Sequence, residues 1–230
     1  MSAFSSVVSP RWERPQTVQG FVVSPPNATL IAFARARLLD GGGRRCVDIG
    51  CGAGRNALPL ADLGYAVTGT DLAPSMIAAA RTRIEPREAQ REVQLIHAPM
   101  APLPLPDASF DLVVAHGIWN LARSGAEFRA AVAEAARVAR AGAALFLFTF
   151  SRHTLPAEAE PDPGETFVFS SWNGEPQCFL SEPEILEELR AAGFVRDADG
   201  PLTEYNLPRP GDVRTGGGPP VIYEGTFRRV

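Results

Sequence analysis

The stretch from Val47 to Asp71 constrains the fold of this chain more than any other part of the sequence. A short apolar run that contains Asp48 leads into a glycine-rich turn, a helix-like segment follows, and a second apolar run ends at an acid. A strand, a tight turn, a helix and a second strand make up the unit of a parallel α/β sheet. A glycine turn with an acid after the next strand is typical of a site for a nucleotide-like ligand at the carboxyl edge of such a sheet.

The spacing of the glycines narrows the class of ligand. The turn reads G-x-G-x-G at Gly50, Gly52 and Gly54, whereas a dinucleotide-binding turn needs a third glycine at the position that Arg55 occupies here. An NAD-dependent oxidoreductase is therefore the weaker interpretation. The Asp48 carboxylate would repel a pyrophosphate but can orient an amine, directly or through water. The pattern indicates a ligand with an adenosine end and an amino-acid end.

On these residues the stretch resembles the cofactor motif of the class I S-adenosylmethionine-dependent methyltransferases. The variant GCGAGRNA, followed by LADLGYAVTGTD, resembles the tellurite-resistance and thiopurine-methyltransferase-like branch in particular. The resemblance implies a Rossmann-like α/β fold with a seven-stranded, mostly parallel sheet, helices on both faces and an antiparallel last strand. It also implies S-adenosyl-L-methionine as the cofactor and S-adenosyl-L-homocysteine as the product. It covers nearly the whole chain from about residue 27 and is motif-specific over residues 45–120.

The resemblance assigns cofactor contacts to residues that follow the predicted strands. Asp71 can accept hydrogen bonds from both ribose hydroxyls, Leu72 lies against adenine, and Met76 either touches adenine or packs in the core. The family usually has an acid after the third strand, where this chain has Pro99, and the backbone amide of Met100 remains for an adenine ring nitrogen. The expected cofactor set is Asp48, Gly50, Cys51, Gly52, Arg55, Asp71, Leu72, Met76, Ala98, Pro99, Met100 and His116.

Two histidines follow the fourth and fifth predicted strands, at the edge where the resemblance implies the transferable methyl group. Methyl transfer from a sulfonium depends largely on positioning and the removal of water, but a hydroxyl or a protonated amine is helped by a general base. All 22 positively charged residues are arginines, which excludes a lysine base. His116 and His153 are therefore the candidate catalytic residues, with His153 preferred. Positioning alone is the alternative, and it suffices for a thiol, selenol or tellurium-type nucleophile already ionised near neutral pH.

The residues expected to contact the acceptor give two different indications. Trp119, with Asn120 beside it, and Trp172 suit an apolar or aromatic acceptor, whereas Arg152 and Arg214 suit a carboxylate or another oxyanion. Both interpretations remain open at this point. In either case the expected acceptor is a small molecule. A formal net charge of −4 and the lack of a basic stripe argue against a nucleic-acid substrate.

Several segments are expected to lie outside the sheet. Residues 1–26 are predicted to form an amino-terminal arm that either packs over the sheet edge or closes the cofactor site through Trp12 and Phe21. Residues 27–230 are predicted to form one methyltransferase domain, in which residues 154–180 are a lid-like insertion and residues 208–220 a Gly/Pro loop. The insertion is rich in Pro, Glu and Gly, but its aromatic residues are too apolar for a disordered segment.

The remaining composition favours a cytoplasmic protein without a metal site. The three cysteines, Cys46, Cys51 and Cys178, form no C-x-x-C pair, and their odd number favours reduced thiols. No apolar run approaches the length of a membrane span, so that no membrane association is expected. A monomer or a homodimer is expected. A second hypothesis, motivated by Pro99, is a regulatory protein that binds the cofactor but has lost catalysis.

Overall fold

The computed structural model describes residues 8–85, 92–197, 200, 202–207 and 219–230. Arg214 and residues 208–218 of the expected Gly/Pro loop lie outside the described residues. The described helices are α1 (Pro15–Val23), α2 (Ala28–Leu39), α3 (Ala57–Asp62), α4 (Pro74–Ile84), α5 (Gly125–Val138) and α6 (Glu182–Ala191). The described strands are β1 (Arg45–Ile49), β2 (Ala66–Asp71), β3 (Val93–His97), β4 (Phe110–His116), β5 (Ala139–Phe150), β6 (Val168–Phe169), β7 (Gln177–Cys178), β8 (Phe194–Arg196), β9 (Thr203–Tyr205) and β10 (Ile222–Arg229).

Within the described residues, eight strands form the central sheet, in the order β3-β2-β1-β4-β5-β10-β8, and β9 also pairs with β10. The strands β1 to β5 pair in parallel with their neighbours in this order, whereas β10 runs antiparallel to β5, β8 and β9. The predicted Rossmann-like, mostly parallel sheet with an antiparallel last strand is therefore confirmed. The short strand β9 is one more than the seven strands expected, because its residues also hydrogen-bond to β10.

Helices cover both faces of the sheet. Alternate residues of each central strand point to opposite faces, so that each face has apolar side chains that a layer of helices buries. In β4, Val113 and Ala115 belong to the core cluster that α5 and α6 cover, whereas Leu112 and Val114 belong to the cluster that α2 and α3 cover. All four side chains are fully buried. Because β1 to β5 run parallel, their carboxyl ends lie together at one edge of the sheet.

The amino-terminal arm contains a helix that the sequence interpretation missed. α1 begins at Pro15, a favourable first residue of a helix. Val18, Phe21 and Val22 have the spacing of one helix face, and they pack with Met76 of α4 in a small separate cluster. The turn formers on either side of the helix concealed this pattern in the sequence.

Most other predicted elements agree with the structure within a few residues. β1 and β3 have the expected bounds, and Asn27 caps α2, with its Oδ1 accepting the Leu30 N–H at 2.8 Å. β5 begins at Ala139, before the apolar run that predicted it, because the backbone of Ala139 pairs with Phe110 ahead of an irregularity in the register. No helix in the described part of the chain is both long and apolar enough to cross a membrane.

Candidate active site

A cavity of about 320 Å³ lies at the carboxyl edge of the sheet, where the first four strands end. This volume is near the lower end of the ~300–1,000 Å³ that is usual for small-molecule sites. The turns that follow the four strands supply one continuous wall. They contribute Gly50, Gly52, Asp71, Leu72, Ala73, Met76, Ala98, Pro99, Met100, Ala101, His116, Gly117 and Ile118.

The glycine turn after β1 has a backbone conformation that few other residues adopt. Gly50 has φ +70° and Gly52 φ +53°, in the left-handed region. A Cβ atom on Gly50 would lie 2.7 Å from the Ile118 side chain, so that the turn passes close to the turn after β4. The Cys51 N–H donates to the Thr70 carbonyl at 2.8 Å and ties the turn to β2. The glycines therefore bring backbone, rather than side chains, to the cavity wall.

Asp71 joins the glycine turn to the turn after β2. Its Oδ2 accepts the Gly52 N–H at 2.8 Å, and its Oδ1 accepts the Ala73 N–H at 2.8 Å. Burial raises the pKa of Asp71, and the two backbone hydrogen bonds act against that rise. Each carboxylate oxygen has more than one lone-pair site, so Asp71 can hold both turns and still accept hydrogen bonds from a ligand.

An apolar wall lies next to Asp71 in the cavity. Leu72, Met76 and the segment Ala98–Met100 line it, and Trp12 and Phe21 of the arm line the same cavity. Met76 is buried and also packs in the cluster with Phe21, so that it serves both the cavity and the local core. The rings of Trp12 and Phe21 pack edge to face, with centroids 5.8 Å apart. This part of the cavity has the flat apolar character that suits a heteroaromatic ring.

Three residues of the expected cofactor set, Asp48, Cys51 and Arg55, lie behind the turn and not among the residues that line the cavity. Burial raises the pKa of Asp48 to about 7, while the positive charge of Arg55 acts in the opposite direction. Asp48 Oδ2 has no hydrogen-bond partner among the described residues. Burial also raises the pKa of the Cys51 thiol well above its usual range, which keeps it a neutral thiol.

His116 lines the cavity, but its ring is held from three sides. It stacks on Phe148 with ring centroids 4.1 Å apart. Its Nδ1 lies 3.1 Å from Nη2 of Arg55, and its Nε2 lies 3.1 Å from Nδ2 of Asn27. Burial and, to a smaller extent, the Arg55 charge lower the pKa of His116 to about 3. Its ring is therefore neutral near pH 7.

The Asn27 amide is oriented so that its N–H group, and not its oxygen, faces His116. Its Oδ1 is occupied as the cap of α2, and its Nδ2 also donates to Glu224 Oε2 at 2.6 Å. Both ring nitrogens of His116 thus face hydrogen-bond donors. A neutral imidazole has one N–H and one acceptor nitrogen, so the ring can accept from only one of these two donors, and a second proton would remove that remaining acceptor. This geometry makes His116 a poor general base.

The structure does not bring His153, the preferred catalytic candidate, to the cavity. Its side chain is 62% exposed, and its Nδ1 lies 2.7 Å from Glu204 Oε1 on β9. The chain leaves β5 through a single 3-10 turn, Arg152–Thr154, in which Ser151 Oγ accepts the His153 N–H. This turn directs His153 toward β9 and away from the residues that line the cavity.

The residues expected at the acceptor are also absent from the described cavity lining. Trp119 and Asn120 are each 1% exposed, because the 3-10 turn Trp119–Leu121 points them into the core, while Ile118 and Leu121 face the cavity. Arg152 instead donates to four backbone carbonyls of residues 155–159.

Trp172 packs within the insertion. Its ring lies 6.3 Å from that of Phe179, centroid to centroid, and it belongs to a small apolar cluster with Leu155 and Phe169. The fifth expected acceptor residue, Arg214, lies outside the described residues.

Several lining residues were missed by the sequence interpretation. They are Val8, Ser9, Pro10 and Arg11 of the arm, Leu121 and Arg123 between β4 and α5, Glu127 in the first turn of α5, and Glu175, Pro176 and Gln177 of the insertion. Glu127 Oε2 accepts the Arg123 N–H at 2.7 Å, and Ser9 Oγ donates to Glu175 Oε1 at 3.0 Å. Ser124 and Glu127 have the spacing of a helix-capping pair, which indicates the start of α5 but not its position at the cavity.

Comparison with known proteins gives the family of this chain. A family model described as a methyltransferase domain matches residues 47–147, from β1 into β5. An O-methyltransferase of Aspergillus sclerotiorum is 31% identical over 84% of this chain and 73% of its own length. The chain belongs to the S-adenosylmethionine-dependent methyltransferases.

Two further relatives support the family and define the extent of the match. A Mycolicibacterium smegmatis protein named "Probable S-adenosylmethionine-dependent methyltransferase" is 33% identical over 69% of this chain. The match spans 55% of that relative, so that this chain covers only about half the length of some methyltransferases it resembles. A Burkholderia thailandensis N1-methyltransferase, solved with 1,6-didemethyltoxoflavin and S-adenosylhomocysteine, has the same fold. Its TM-score is 0.64 at 19% identity, over 96% of this chain and 84% of that one.

Proposed function

We propose that this chain transfers the methyl group of S-adenosylmethionine to a small-molecule acceptor. One observation carries the proposal. The glycine turn, Asp71, the segment after β3 and the turn after β4 are far apart in sequence, yet they line one cavity of about 320 Å³ at the carboxyl edge of the sheet. That edge is where open α/β sheets bind their ligands.

The residues present fit this cofactor. We name as the cofactor end of the cavity the residues Gly50, Gly52, Asp71, Leu72, Met76 and Ala98–Met100. Asp71 takes the ribose hydroxyls, and the glycine turn takes the amino-acid part. Asp48 lies behind this turn, and its buried Oδ2, which has no hydrogen-bond partner among the described residues, helps to orient the amino group through water. Pro99 has neither an N–H nor a side-chain acceptor, so adenine recognition falls to the Met100 backbone amide and the apolar wall.

Positioning and the exclusion of water account for catalysis in this proposal. When bound, S-adenosylmethionine supplies a methyl group on a sulfonium, and the thioether that leaves is neutral. The buried, neutral His116 is unsuited to take a proton, and His153 does not line the cavity. We therefore assign His116 to holding Arg55 and the turn after β4. Correct placement of two reacting groups alone is worth up to ~7–11 kcal/mol of a barrier.

The arm and the insertion are proposed to close the cavity. Arm residues 8–12 and 21 and insertion residues 175–177 line it, and Ser9 joins Glu175. The division into an arm, residues 1–26, and a domain, residues 27–230 with its lid-like insertion, belongs to this proposal.

We also propose a cytoplasmic enzyme that acts on neither nucleic acid nor membranes, as a monomer or a homodimer. Three free, buried cysteines support the cytoplasmic location. The net charge of −4 supports a substrate other than nucleic acid. Membership of the tellurite-resistance and thiopurine-methyltransferase-like branch stays a prediction from GCGAGRNA. The relatives reported above include an O-methyltransferase and an N1-methyltransferase, and neither is named as a member of that branch.

Calorimetry with S-adenosylhomocysteine and with NAD tests the cofactor. We expect binding of the first and none of the second. Asp71→Asn should weaken binding about 10–100-fold, because one or two hydrogen bonds to the ribose lose a charged acceptor. The matched control Glu158→Gln changes the same charge at an exposed site of the insertion and should bind like the wild type. Cofactor binding without transfer of a labelled methyl group to any thiol, phenol, amine or acid would instead indicate an inactive binding protein.

A further inference from the structure

The end of the cavity next to the turn after β4 has its own set of side chains. We name as the acceptor end Ile118, Leu121, Glu127, Glu175 and Gln177, all of which line the cavity. Ile118 and Leu121 supply apolar surface from the turn itself, and the polar groups come from α5 and from the insertion. In the proposed function, an acceptor must occupy this end to reach the methyl group. The side chains at this end must therefore be complementary to the chemical groups of the acceptor.

Gln177 is the buried polar group at this end. It is 3% exposed, and its Oε1 accepts a hydrogen bond from Asn173 Nδ2 at 3.3 Å. That bond leaves Nε2 as the donor toward the cavity, and no group in the described part of the chain hydrogen-bonds to it. An amide N–H at the wall of a cavity is available to donate to a ligand or to a water molecule. Gln177 thus offers a hydrogen-bond donor to whatever occupies the cavity.

The backbone holds Gln177 in place beside the turn after β4. Gln177 pairs with Phe169 in the two-stranded β6–β7 hairpin. The next residue, Cys178, points the other way and its Sγ donates to the Ala122 carbonyl at 3.3 Å. Successive side chains of a strand lie on opposite faces, so the bond that docks Cys178 on Ala122 directs Gln177 to the cavity. The donor is therefore fixed in direction before a ligand binds.

The charges at this end disfavour an anionic acceptor. Glu127 is half-buried, and the Arg123 N–H occupies only its Oε2, so that Oε1 remains for a ligand's hydroxyl or amine. Of the two lining arginines, Arg123 is exposed, and Arg11 has its guanidinium 4.5 Å over the Trp12 ring. Arg152, an expected oxyanion ligand, is used by backbone carbonyls. Glu127 is therefore a more buried charge than Arg123 in the described lining, and it would repel a carboxylate placed beside it.

We propose that Gln177 and Glu127 select an uncharged acceptor with an apolar ring that carries both a hydroxyl group to be methylated and a carbonyl or similar hydrogen-bond acceptor. Gln177 donates to the carbonyl, Ile118 and Leu121 pack against the ring, and Glu127 excludes acids. In the transfer step the hydroxyl oxygen bonds to the methyl carbon, the C–S bond of the sulfonium breaks to leave a neutral thioether, and the hydroxyl proton passes to solvent water. This assignment rests on the proposed function. The sequence left open whether the acceptor is apolar or an oxyanion, and this assignment favours the apolar acceptor.

Three matched sets of phenols test this assignment on the full chain. They are the positional isomers of hydroxyacetophenone, the corresponding ethylphenols and the corresponding hydroxybenzoates. Binding of each is measured by calorimetry with S-adenosylhomocysteine present, and methyl transfer is measured with labelled S-adenosylmethionine. We expect the best hydroxyacetophenone to bind about tenfold more tightly than the best ethylphenol, the effect of one buried hydrogen bond. The hydroxybenzoates should bind most weakly.

The variant Gln177→Ala should lower the affinity for the best hydroxyacetophenone to that for the matching ethylphenol and leave binding of S-adenosylhomocysteine unchanged. Gln94→Ala, at an exposed position of β3, is the matched control and should change neither. Equal wild-type affinity for the first two sets, or preference for the hydroxybenzoates, overturns the assignment. So does S-adenosylhomocysteine binding without binding of any phenol, in which case the cofactor proposal stands. Failure to bind S-adenosylhomocysteine overturns both proposals.

Discussion

At the cofactor end of the cavity part of the wall is the backbone of a glycine turn, whereas at the acceptor end the wall consists of side chains. Asp71 holds the N–H groups of Gly52 and Ala73 at the cofactor end. At the acceptor end, Gln177 and Glu127 come from separate segments that pack against one turn. A backbone wall needs positive φ angles and close approach, and these requirements leave a motif in the sequence. A wall of side chains leaves no such motif, so that acceptor specificity can change while the cofactor site is kept.

Replacing Gly50 by alanine should have a larger effect than the other variants considered below, and it should weaken binding of the cofactor. The new Cβ would lie 2.7 Å from the Ile118 side chain on a backbone with φ +70°, and an L-residue there costs ~1–2 kcal/mol. The turn is expected to relax away from this conformation, and a bound cofactor must then restore it. We expect S-adenosylhomocysteine binding measured by calorimetry to weaken about 30-fold.

Gly20→Ala is the control for this variant, because it adds the same methyl group inside α1, where nothing lies within 4 Å of the new Cβ. It should leave binding unchanged and stabilise the helix slightly. If Gly50→Ala binds like the wild type, the turn is not the rigid backbone wall that distinguishes the cofactor end.

The difference between the two ends of the cavity also explains which parts of the structure the sequence could predict. The bounds of β1 and β3 and the cap of α2 follow from apolar runs and an asparagine, which are local signals. The cofactor end also follows from local signals, because each strand terminus brings its own turn to a common edge. Met76 illustrates the limit, since its spacing is compatible with both the core and the cavity, and it belongs to both.

The acceptor end could not be predicted, because it depends on the direction of single turns and on long-range packing. In the 3-10 turn after β4, Ile118 and Leu121 line the cavity, whereas the predicted acceptor residues Trp119 and Asn120 are buried in the core. Gln177 looks like any polar residue of a Pro- and Gly-rich segment. Its role depends on Cys178 docking on Ala122, a contact across 56 positions of the chain. Only tertiary structure carries that information.

The polar network behind the cofactor end predicts an acid dependence of stability. His116 has a pKa of about 3 in the folded protein, below the ordinary ~6.5 of the unfolded chain. Between these values the unfolded chain binds the proton and the folded chain does not, so stability falls as the pH falls below about 6.5. Asp48 acts in the opposite direction. Its folded pKa of about 7 exceeds the unfolded ~3.9, so its contribution improves as the pH falls through 7.

The variant His116→Gln removes only the first of these two effects. At pH 7 it should be less stable than the wild type, because the stacking on Phe148 is lost. The difference should shrink by up to about 1.4 kcal/mol for each pH unit below 6.5. Urea unfolding of both proteins at pH 7, 5.5 and 4.5 measures this difference, and a constant gap would contradict a neutral, buried His116.

The smallest effect is expected for His153, the histidine that the structure keeps away from both ends of the cavity. His153→Ala removes the exposed contact between its Nδ1 and Glu204 Oε1, and exposed polar contacts of this kind contribute ~0–1 kcal/mol to stability. Methyl transfer to whichever phenol is turned over should stay within about twofold of the wild type, in both kcat and KM. A tenfold loss of kcat at unchanged melting temperature would mean that β9 and the turn after β5 move His153 to the acceptor during catalysis. The acceptor end would then include a base that the cofactor end lacks.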